Sequence, residues 1–147
     1  MAIAAENPTD RVEQLIRLTE RLTDLVASSA QAFEGRRPQD ALVNLAETGQ
    51  LANLYRHESA RVRANPALVA AAPATARARL VRATEAFDAV LARQSRAVEA
   101  ARFVTEGLVR AIAEEIAGQR QQSASYGAGG RTTQIGAATA ITLNQRA

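Results

Sequence analysis

The sequence predicts an all-α protein: an antiparallel three-helix bundle or coiled coil with a long third helix and a flexible C-terminal tail. Three observations carry that expectation. Apolar residues recur at alternating steps of three and four over three long segments. Proline occurs only at positions 8, 38, 66 and 73, at the starts or ends of those segments. The 147 residues are 47% hydrophobic but only 3% aromatic, so small aliphatic side chains dominate and favour a slender bundle.

The first helix is expected over 10–35. Asn7-Pro8-Thr9-Asp10 reads as its start, with Asp10 and Glu13 at capping-box spacing. Its seam runs Leu15, Leu18, Leu22, Leu25, Ser29, Ala32, with Phe33 beside it. Gly35-Arg36-Arg37-Pro38 ends it and starts a second helix over 39–64. That helix carries Ala41, Leu45, Thr48, Ala52, Tyr55, Ser59 and Val62 on one stripe, flanked by Leu42, Leu51 and Leu54. A short turn makes the two an antiparallel hairpin. Pro66 to Pro73 reverses the chain into a third helix over 74–121, about 70 Å long at ~1.5 Å per residue. Residues 1–122 form the helical domain, and the Ser/Gly/Ala/Thr-rich segment 123–147 is expected to be disordered.

The third helix outruns its partners. Its seam runs Leu80, Thr84, Phe87, Leu91, Gln94, Val98, Ala101, Thr105, Leu108, Ile112. The hairpin is long enough to cover the part from Leu80 to about Val98. Val98, Ala101, Phe103, Val104, Leu108, Val109, Ile112 and Ile116 are left as a broad apolar stretch, which soluble monomers avoid exposing. A bent helix, a homodimer or a heterologous client would each cover it. Gly107 in its middle fits either a close helix crossing or a hinge.

The sequence points away from chemistry. It has no cysteine, and His57 is its only histidine, so thiolate and paired-imidazole metal sites are excluded. The acidic pairs Glu114-Glu115 and Glu85/Asp88 read as helix solvation, and Gly127-Ala-Gly-Gly130 lacks the strand of a phosphate loop. Neither an enzyme nor a cofactor is expected. The net charge of +3 comes entirely from arginine, mostly alternating with acids. The exception is Arg56, Arg61, Arg63, Arg77, Arg79 and Arg82, with only Glu58 among them, expected to form a basic tip where the second helix ends and the third begins. Without interleaved aromatics the tip does not support nucleic-acid binding. The longest apolar run, Ala67–Ala72, cannot span a bilayer, and the N-terminal residues lack the features of a secretory signal, so a cytoplasmic location is expected.

Several short elements together resemble the FlgN-type flagellar export chaperones. The long last helix leads through Gln119-Arg-Gln-Gln-Ser-Ala-Ser125 into Tyr126-Gly127-Ala128-Gly129-Gly130, similar to the Tyr-Gly-x-x-Gly ending of that family. Glu106-Gly107-Leu108-Val109 resembles its Asn-Gly-Leu-type element. Leu15-Ile-Arg-Leu-Thr-Glu-Arg-Leu22 and Leu51-Ala-Asn-Leu-Tyr-Arg-His-Glu58 fit its opening half, and small α-proteobacterial flagellar proteins have a similar Arg/Ala-rich look. The resemblance implies a non-enzymatic chaperone that binds terminal helices of hook-filament junction (hook-associated) proteins and keeps them unassembled. It also implies delivery of these clients to the export apparatus. Client binding would lie toward the C-terminal end, on the stripe from Val98 to Ile116, with Tyr126 beyond it. The alternatives are a self-associating coiled-coil protein of flagellar assembly and a regulator whose arginine tip touches RNA or an acidic partner.

Overall fold

The computed structural model describes residues 2–128. Those residues are all-α, as the sequence predicts: α1 is Pro8–Glu34, α2 Leu45–Ala64, α3 Ala67–Ala70 and α4 Ala74–Ala128, with a 3-10 turn at Pro38–Leu42 between α1 and α2. The chain divides into two units, Met1–Arg102 and Phe103–Ala147, and α4 contributes to both.

In the first unit α1 is the central helix. Val12, Leu15, Ile16, Leu18, Leu22, Leu25, Val26, Ala30 and Ala32 are all buried, far more than one seam. Ion pairs fix the directions of its neighbours. Arg11 and Arg21 reach Glu58 and Glu47, so α2 runs antiparallel to α1. Glu13 and Glu34 reach Arg79 and Arg93, so α4 runs parallel to it. Phe87 of α4 joins Leu18, Leu22 and Val26 of α1 in one core cluster, against which Leu51, Leu54 and Tyr55 of α2 pack. Its ring meets Tyr55 edge-on at 5.1 Å and 68°.

Several boundaries differ from the sequence expectation. Asn7 is the N-cap of α1, its side chain accepting from the Asp10 N–H at 2.9 Å, while Pro8 takes the first turn. Asp10 instead accepts from the Glu6 N–H and from Gln14. At the far end Gly35 is the C-cap, as expected; Arg36 after it takes the left-handed conformation (φ 58°), and the Arg37 N–H closes back on the Ala32 carbonyl. The second helix is not continuous from 39: the 3-10 turn and α2 are separated by Val43-Asn44, both weak helix formers. Leu42, Val43 and Leu45 are exposed there, so Leu45 leaves the stripe expected to bury it.

The core face of α4 is also turned. Ala76, Phe87 and Ala97 are buried, with Leu80 and Val90 packed beside them, while Leu91 and Val98 stay 40% and 41% exposed. Gln94 donates to the Ser29 hydroxyl at 2.9 Å. Finally, α4 continues through Ser123–Ala128, so a disordered tail does not begin at 123. No glycine falls between Gly118 and Gly127, and Ser, Ala and Tyr are tolerated in a helix. The rest of the expected tail, 129–147, lies outside the described residues.

The exposed pairs tie stability to pH. Hydrogen bonds from Arg93 and Arg21 hold the Glu34 and Glu47 carboxyls below their ordinary range. The bond from Gln14 does the same for Asp10. A carboxyl depressed in the folded state stabilises above its unfolded pKa, and that contribution is lost as pH falls through the folded value. Thermal melts are therefore expected to drop as pH falls below about 4. The drop should shrink in high salt, because exposed pairs are screened.

Candidate functional site

Among the described residues of the second unit, every side chain from Phe103 to Tyr126 is exposed, although α4 stays helical throughout. Polar helices do this routinely, but here Val104, Leu108, Val109, Ile112 and Ile116 are between 46% and 63% exposed. In an α-helix Val104, Leu108, Ile112 and Ile116 follow one another at four-residue steps along one face. Val109 and Ala111 flank that row. Tyr126, 92% exposed, lies five turns on from Leu108 (about 3.6 residues per turn) and so shares the same face.

Phe103 does not belong to this face. Nine residues, about two and a half turns, separate it from Ile112, which sets it on the opposite side with Arg110 and Glu114. Val98 and Ala101 belong to the first unit, where Val98 is half-exposed and Ala101 partly buried.

A Cβ built on Gly107 meets no atom within 4 Å, so the close crossing that would need a glycine is absent among the described residues. Gly107→Ala is therefore expected to stabilise α4 by about 0.5–1 kcal/mol. Slower amide exchange on either side of position 107 checks this.

The arginine cluster is largely engaged at home. Arg61 pairs with Glu58 and Arg79 with Glu13; Arg77 donates to the Ala72 carbonyl and Arg56 to Asn53. Arg63 and Arg82 are exposed. Arg82 borders a shallow groove with Glu20, Asp24 and Arg79, a mixed-charge surface rather than a basic one.

Glu58 is the residue that sequence reasoning missed. It is completely buried: Oε1 accepts from the Ile3 N–H (2.9 Å) and from Arg61 (3.3 Å), and Oε2 from Arg11 (2.9 Å). One carboxylate thus ties the N-terminal segment, α1 and α2 together. The only sequence signal was a lone acid among arginines.

Among the described residues no group of three or more His, Asp or Glu side chains is placed to hold a metal, and no helix is long and apolar enough to cross a membrane. The chain is 64% identical, over an alignment of 151 positions covering 100% of both proteins, to the flagellar basal-body protein FlbY of Caulobacter vibrioides. No protein-family model matches the chain. No solved structure matches it either.

Proposed function

Because the chain belongs to the FlbY family of flagellar proteins, we propose that it is a non-enzymatic, cytoplasmic export chaperone of the FlgN type. It binds terminal helices of hook-filament junction proteins, keeps them from assembling and presents them to the export apparatus. The observation that carries this reading is the apolar row Val104, Leu108, Ile112, Ile116, exposed on a helix that is otherwise well formed. Apolar area leaving water contributes about 25 cal/mol per Å², so an amphipathic helix laid on this row gains stability without any further chemistry. The FlgN-like Glu106-Gly107-Leu108-Val109 and Tyr126-Gly127 elements fall on the same helix. The paired arginines make the basic tip a weaker candidate for the functional surface.

The test is protection from aggregation. A hook-filament junction protein diluted out of denaturant should scatter strongly alone and weakly with one equivalent of this chain, eluting as a complex. Unchanged scattering and separate elution would rule the chaperone reading out.

A further inference from the structure

We propose that the Val104–Ile116 face receives two amphipathic helices of another protein, lying side by side, with a lysine or arginine of that protein set against Glu115. This inference rests on the client-binding reading above. Its first support is width. At ~100° per residue, Ala111, Val104, Leu108, Ile112, Ile116 and Val109 span about 160° of the helix circumference. A two-stranded coiled coil buries only a narrow seam, whereas an arc this broad fits the groove between two helices. The molecule provides its own precedent: in the first unit α4 buries Phe87 against α1 and α2 together.

The second support is charge. Glu115 lies within the arc and, among the described residues, accepts a 3.3 Å bond from Gln119. Arg110 faces the opposite side; none of the residues on the arc is basic, and Arg102 and Arg120 lie just beyond its Val109 edge, about 140° round the helix from Glu115. In a parallel second copy Glu115 would meet its own counterpart, and in an antiparallel one it would meet uncharged residues of the same arc. Either arrangement desolvates a carboxylate without a cation. A foreign helix pair carrying one basic residue removes that cost and covers the whole arc.

Titration calorimetry on the full chain tests this. The probes are the N-terminal and C-terminal helix peptides of a hook-filament junction protein, each alone and the two joined by a flexible linker. The joined pair should bind about 100-fold tighter than either helix, one pair per chain. Glu115→Arg should weaken the pair about 10-fold while leaving the circular dichroism unchanged. If one helix alone matches the pair, the two-helix inference fails while the client reading stands. If Glu115→Arg binds the pair unchanged, the charge assignment fails. If no probe binds, both readings fall. A stable dimer of the chain alone, dissociated by Leu108→Asp in sedimentation, would make a second copy the occupant and overturn the proposal.

Discussion

Glu58→Ala is expected to cost the first unit about 3–5 kcal/mol, read as a lowered urea midpoint by circular dichroism. Small domains have only about 5–15 kcal/mol in total, so this single change approaches the limit of folding. The reason is the asymmetry of buried charge. Glu58 is 0% exposed and Arg11 only 8%, and removing the carboxylate strands the guanidinium away from water. It also orphans the Ile3 N–H, releasing the N-terminal segment from the bundle. Glu58→Gln keeps an acceptor and should cost less, about 1–3 kcal/mol. Replacing both partners, as in Arg11→Met with Glu58→Leu, should recover much of the single variant's loss, because no unpaired charge then remains. A Glu58→Ala protein within about 0.5 kcal/mol of the original would match an ordinary surface substitution and contradict this role.

The second large effect concerns binding rather than folding. Val104→Asp, Leu108→Asp and Ile112→Asp together should lower affinity for junction-protein helices by more than about 100-fold. Each removes a side chain worth roughly 1.5–3 kcal/mol on burial and offers a charge in its place. All three are more than half exposed, so the unfolding midpoint of the first unit should stay within about 0.5 kcal/mol of the original. Phe103→Asp is the matched control. Phe103 is larger and 77% exposed, yet it faces away from the row and its loss should leave affinity within a few-fold. Equal loss from Phe103→Asp and from Leu108→Asp would mean that the face is wrongly drawn.

The helical class, the hairpin and the exposed stretch of the last helix were legible in the sequence because all three follow from periodicity and proline placement. The leucine seam of α1 and the burial of Phe87 followed for the same reason. What was not legible depended on partners. Nothing in the sequence marks Arg11 and Glu58 as a buried pair, because no pattern in one chain shows that two charges 47 positions apart will meet in the core. On α4 periodicity admits two neighbouring faces, and hydrophobicity favours Leu91 and Val98. The fold buries Ala97 and packs Val90 instead, on the same face as the buried Phe87. Phe103 shares the hydrophobicity of the candidate stretch, but helical geometry sets it on the side opposite Ile112. Gly35 was legible as the C-cap of α1, but not the left-handed residue that follows it, Arg36.

Amide hydrogen exchange along α4, with and without the terminal helices of a hook-filament junction protein, tests the proposed site most directly. Adding the helices should slow exchange across 103–118, where every described side chain is exposed, and leave the α1 amides at Leu15–Val26 unchanged. Protection confined to the first unit, or no protection while the helices demonstrably bind, would contradict the assignment of this face as the site of function.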